Sequence, residues 1–78
     1  MTRLYRDTIR LIVDAYGQLT PELQKAAKFI LENPEDVGLN SMRTVAKGAG
    51  VKPATVSRLS KRLGFDDYEK FREPFRQR

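Results

Sequence analysis

The 78-residue chain has no cysteine, so it forms no disulfide and offers no thiolate to a metal. That absence fits a reducing cytoplasm, which is the expected location. Histidine is missing too, which removes the commonest general base and the commonest metal ligand. The carboxylates do not fill the gap. Glu35 and Asp36, like Asp66 and Asp67, stand at predicted helix starts, where acids cap or favour the first turn. With no catalytic constellation in sight, no enzymatic activity, cofactor or metal is expected. Long apolar runs are also lacking. The longest in the first 20 residues is Leu11-Ile12-Val13, too short for a signal peptide or a membrane span. No segment alternates with period two, and no Asn-Gly or Asp-Gly hairpin signal occurs. Repeats, low-complexity tracts and Pro/Gly/Ser linkers are absent. What is left is a set of short helices, enough for one small domain. Such a domain buries only about 60% of its unfolded surface, so dimerisation is a natural source of added stability.

Charge is present, and it is uneven. Fifteen basic residues against ten acidic give a net +5. Residues 1–40 carry five basic and six acidic groups, a net of −1; residues 41–78 carry ten and four, a net of +6. A basic half favours a polyanion such as nucleic acid, although a merely solvated lysine-rich surface has the same charge.

The first helix is predicted over residues 3–16 and stopped by Gly17. Tyr5, Ile9, Ile12 and Tyr16 form one apolar stripe; Leu4, Thr8, Leu11 and Ala15 form a second beside it. So wide a face makes this helix the candidate subunit interface. Thr20 caps the second helix and Pro21 suits its first position; Leu23, Ala26, Ala27, Ile30 and Leu31 form its buried face. Asn33 is predicted to cap a short helix from Pro34 to about Leu39. Ser41 caps another over 42–49, with Gly48 inside it at a cost of about 1 kcal/mol relative to alanine. Pro53 opens the next and Gly64 ends it. The last runs from Asp67 to Glu73, with Pro74 ending or kinking it. Phe65, Tyr68, Phe71 and Phe75 line one side of it at core spacing, which outweighs a base-stacking role.

Ala46, Gly50, Val56 and Leu59 carry the most specific pattern. A small residue, a glycine four later, a branched residue six after that and a leucine three further on fit a helix-turn-helix over 42–63. Ala46 keeps the crossing helices close, Gly50 supplies a turn with positive φ, and all four are expected to be buried scaffold. Val51, Val56, Leu59 and Leu63 anchor the second helix. That places Ala54, Arg58 and Lys61 outward, flanked by Thr55, Ser57 and Arg62. Arg58 suits a bidentate guanine contact, Thr55 and Ser57 a base or a phosphate, and Ala54 a thymine methyl. Lys52, Lys61 and Arg62 suit phosphates, as do Arg43 and Lys47 on the first helix of the pair.

Leu19-Thr20-Pro21, Ile30 through Glu35, Ser41, Ala46 through Val51, Ala54 through Arg58, Lys61 through Phe65, Tyr68 and Phe71 together resemble the N-terminal domain of RpiR/MurR-type bacterial transcriptional regulators. The resemblance covers nearly the whole chain. It implies a sugar isomerase (SIS) domain after this one, which binds a phosphosugar effector and is absent from these 78 residues. It further implies a dimer or higher oligomer on a palindromic operator of sugar-catabolic genes. Several positions depart from the family pattern: Leu23 and Thr44 in place of acidic capping-box residues, Lys52 in place of a small polar cap, and the unusual Gly48 and Pro74.

The expected fold is all-α, a five- to six-helix DNA-binding domain containing a helix-turn-helix, with residues 1–78 as one unit. The expected function is sequence-specific binding of double-stranded DNA by a homodimer, with no membrane association. The alternatives are the DNA-binding module of a recombinase-type enzyme and a protein-interaction helix-turn-helix.

Overall fold

The computed structural model describes residues 4–77. Six α-helices occur among them: α1 (Tyr5–Ala15), α2 (Pro21–Glu32), α3 (Pro34–Leu39), α4 (Met42–Ala49), α5 (Pro53–Arg62) and α6 (Tyr68–Arg76). No strand is present among the described residues, and no helix is long and apolar enough to cross a membrane. The predicted start of the first helix, residue 3, lies outside the described residues. Its end is not at Gly17: α1 stops at Ala15 and tightens into a 3₁₀ turn, Tyr16–Gln18.

Local chemistry sets most helix starts. The Thr20 hydroxyl accepts from the Leu23 amide at 3.4 Å, with Pro21 at the first helical position of α2. The Ser41 hydroxyl accepts from the Thr44 amide at 3.2 Å, and an Asp67 oxygen from the Lys70 amide at 2.9 Å. Each such cap contributes about 1 kcal/mol. Asn33 departs from expectation. Its side chain makes no cap bond to α3. It turns back instead, and its Nδ2 donates to the Phe29 carbonyl at 3.1 Å, closing the end of α2. The Asn33 backbone, at φ −137° and ψ 58°, lacks the extended geometry from which Thr20 and Ser41 reach forward to the third residue of their helices.

α2 is the central support, packing against α4 and α5 through buried Leu23, Ala26, Ala27 and Ile30. Leu31, predicted on that face, is only partly buried. α6 closes the far side on α3. The aromatic residues are core, as their spacing predicts. Phe71 lies 5.4 Å from the Phe65 ring, 6.1 Å from Tyr68 and 5.1 Å from Phe75, and Tyr5 meets Phe75 edge-on at 5.5 Å. Pro74 neither ends nor breaks α6, which continues to Arg76. The ring is fully buried, and only one turn of helix is left to disturb.

α1 corrects a second expectation. Its two stripes pack inside the protomer rather than forming a free face. Thr8 and Ile12 are fully buried, and the Thr8 hydroxyl donates to the Leu4 carbonyl at 3.1 Å. Tyr5, Ile9, Ala15 and Tyr16 are partly buried against the core. Leu4, at 57%, is the exposed exception of the two stripes, and Leu11 is half-buried outside the core cluster. The other exposed apolar residue of this region, Val13 at 55%, belongs to neither stripe.

Two glycines are fixed by packing, a role their helical positions do not announce. A Cβ on Gly38 would lie 2.9 Å from the Phe75 carbonyl oxygen and 3.2 Å from its carbon. A Cβ on Gly48 would meet the Phe29 ring at 2.6 Å. The first clash is with backbone, which cannot step aside. Arg72 reinforces that contact by donating from Nη2 to the Gly38 carbonyl at 3.4 Å. Gly38→Ala should therefore destabilise the fold by about 1–3 kcal/mol in thermal or urea unfolding, although alanine is the better helix former by about 1 kcal/mol.

The Tyr68 hydroxyl is buried and has no hydrogen-bond partner among the described residues. Burial pushes its pKa from 10.0 up to about 12, opposed by the Arg72 charge and reinforced by Glu69. The folded state thus keeps the phenol proton over a range where the unfolded chain loses it. Stability from this group is intact below pH 10.0 and falls as the pH rises towards about 12. Tyr68→Phe removes both the orphan hydroxyl and that decline. It should be neutral or stabilising by about 1 kcal/mol at pH 7, with a flatter alkaline limb in unfolding curves.

Candidate nucleic-acid interface

α4 and α5 form the two-helix unit, joined by Gly50, Val51 and Lys52. Gly50 has φ 76°, the left-handed conformation that costs an L side chain roughly 1–2 kcal/mol. The Gly50 amide donates to the Lys47 carbonyl at 3.2 Å and the Val51 amide to the Ala46 carbonyl at 3.0 Å. This paired cap ends α4 and turns the chain at once. The same device recurs where α5 ends. Gly64 has φ 98°; its amide donates to Lys61 at 3.0 Å, and the Phe65 amide donates to Ser60 at 3.1 Å. In both caps the residue after the glycine, Val51 or Phe65, packs against the core. Gly50 itself is exposed, so it is a conformational element and not the buried scaffold residue its place in the pattern suggests.

Ala46, Val56 and Leu59 are 1%, 0% and 0% exposed, as the pattern requires. α5 is covered by α2, α4 and α6 together, so its buried face is wider than one stripe. It takes in Thr55 and Ser60 as well, and the Ser60 hydroxyl donates to the Val56 carbonyl at 3.1 Å.

The predicted contact residues divide accordingly. Ala54, Arg58 and Lys61 are exposed together on the outward side of α5, and Ser57 is half-buried at its edge. Thr55 is not with them: it is only 6% exposed and belongs to the packed side. Arg62 is exposed, but its guanidinium Nη2 donates to the Gln18 carbonyl at 3.2 Å, tying the end of α5 to the 3₁₀ turn after α1. Arg43 and Lys47 are exposed on α4, and Lys52 is exposed in the turn. Lys52 makes no side-chain cap for α5, as expected of a lysine in that place.

The electrostatics are one-sided. No acidic residue occurs from Val37 to Phe65, a stretch that holds Arg43, Lys47, Lys52, Arg58, Lys61 and Arg62. None of these six enters an ion pair among the described residues; the pairs there are Lys25 with Glu22 and Arg72 with Glu69. Among the described residues no carboxylate pairs with these cations, which leaves them to counterions or to a polyanion. The acid-free run is legible in the sequence and marks the face more sharply than the net charge of the half-chain does. Two supporting residues are less legible. Phe29 sets how α4 lies on α2 through the ring against Gly48, and Gln18 anchors Arg62 from 44 residues away.

Comparison with known proteins agrees with this architecture. A family model described as "Helix-turn-helix domain, rpiR family" matches residues 7–77. Among solved structures, the chain is similar to the N-terminal domain of ybbH, a candidate transcriptional regulator from Bacillus subtilis subsp. subtilis str. 168. The TM-score is 0.82 at 24% identity, over 87% of this chain and 83% of that one. No curated protein matches.

The turn glycine can be checked without DNA. Gly50→Ala should lower stability by roughly 1–2 kcal/mol through backbone strain alone, since no atom lies within 4 Å of the added methyl. Thermal unfolding beside Gly17→Ala, where nothing lies within 4 Å and φ is not left-handed, isolates that strain.

Proposed function

The chain belongs to the rpiR family of helix-turn-helix domains, and from that premise we propose that it binds double-stranded DNA sequence-specifically, as the DNA-reading domain of a transcriptional regulator. One observation carries the reading. α4, the turn and α5 hold no acidic residue and expose six cations that form no ion pair among the described residues, with a small residue, Ala54, at the leading end of α5. An α-helix fits the major groove, and its N-terminal residues approach the base edges.

Roles follow from position. Ala54, Ser57 and Arg58 face the bases, with Arg58 the residue for a bidentate guanine contact. Arg43, Lys47, Lys52 and Lys61 meet phosphates and set the register. Lys52 leaves the start of α5 without a side-chain cap, so a phosphate can take that place. Arg62 reaches a phosphate with the donors that Gln18 does not use. Thr55 acts as scaffold rather than reader.

The finer reading rests on the family resemblance. Residues 1–78 act as a single domain. A homodimer binds a palindromic operator in the cytoplasm, and a phosphosugar acts through a separate C-terminal domain to control genes of sugar metabolism.

The test is duplex binding after selection of bound sequences from random DNA. Arg58→Ala should lose about 1–3 kcal/mol on the selected site and relax discrimination at one base position. Equal loss on every sequence would make Arg58 a phosphate contact. Affinity should fall with salt, with a log–log slope of about −0.9 per phosphate neutralised. Absence of any duplex binding at low salt would reject the reading in favour of a protein partner.

A further inference from the structure

Resting on the reading that the protein acts as a homodimer, we propose that two copies pair through the groove between α1 and α2. Val13, Tyr16 and Leu31 form its apolar part, and Lys28 faces Glu32 of the partner subunit. This is not the α1 face that the sequence stripes mark, because those stripes turn inward in the fold.

Val13 is 55% exposed, and with the partly buried Tyr16 and Leu31 it lines one surface groove together with Lys28 and Glu32. The apolar groups alone would not say what covers them; the charges do. Lys28 and Glu32 are both exposed, lie one turn apart on α2 and flank Leu31. Neither has an ion-pair partner among the described residues. One cation and one anion a turn apart are their own complement under a two-fold axis. If two α2 helices cross antiparallel beside Leu31, Lys28 of each copy meets the partner's Glu32, and both pairs form at once. A polyanion is disfavoured here, because Glu32 would meet it. The cationic helix pair, α4 and α5, is made of other elements, so pairing at this groove leaves it to DNA. The groove is small, which places the contact in the weak class that a palindromic site would reinforce.

Charge reversal gives a test that does not depend on disrupting the core. The wild-type domain should dimerise with rising concentration in sedimentation equilibrium. Lys28→Glu sets a second carboxylate against the partner's Glu32, and Glu32→Lys sets two ammonium groups together. Each variant alone should weaken dimerisation at least about tenfold. The two variants mixed in equal amounts restore opposite charges across the contact and should form a heterodimer as tight as the wild-type dimer. Circular dichroism melts confirm that each variant is folded. A wild-type dimer left unchanged by either variant would overturn the face while leaving the homodimer reading intact. So would a mixture that fails to restore pairing. A wild-type domain that stays monomeric at every concentration would overturn the homodimer reading itself, and this face with it.

Discussion

The left-handed backbone of Gly50, at φ 76°, fixes how α4 meets α5, and the interface depends on it. The residue turns the chain within one position of the end of α4. Its own amide and that of Val51 satisfy the Lys47 and Ala46 carbonyls in the last turn of the helix. Such an abrupt turn returns α5 against α4 at close range. Close range in turn demands a small residue at the crossing, and Ala46 is only 1% exposed there. Gly64 repeats the device at the other end of α5, sending Phe65 into the aromatic cluster. The helix that faces outward is thus held between two glycine caps and packed on three sides by α2, α4 and α6.

That enclosure decides which residues are free to act. Three-sided packing removes Thr55 and Ser60 from the surface and leaves a narrow exposed strip of Ala54, Arg58, Lys61 and Arg62, with Ser57 at its edge. The strip is rich in cations that find no ion-pair partner among the described residues. A rigid support for unpaired charge is what ordered phosphate recognition needs, since little of the association free energy then goes into ordering the interface.

Features governed by neighbours in sequence were legible in the sequence. The Thr20, Ser41 and Asp67 caps, the glycine turns and the Pro53 start each depend on three or four consecutive residues. Features governed by tertiary neighbours were not. The helical repeat places Thr55 beside the outward strip, yet it is buried in a helix that packs against three others. The stripes of α1 have the width of an interface, yet α2 and α6 take them up. Asn33 has two backbone ends within reach, and its non-extended backbone goes with the backward bond to Phe29. Gly38 reads as a helix defect until the backbone of Phe75 is seen against it. The family resemblance read from the motifs agrees with the family model over residues 7–77. The roles of single contact residues depend on a bound duplex.

The central claim is that the helix pair, held by its glycine caps, is the surface that meets DNA. Amide chemical-shift mapping during titration with a selected duplex tests it most directly. The account predicts the largest shifts at Arg43, Lys47, Lys52, Ala54, Ser57, Arg58 and Lys61, with the core residues Val45 and Leu59 moving little. Duplex binding that leaves the α4 and α5 residues unshifted, or no shift at all at low salt, would contradict it.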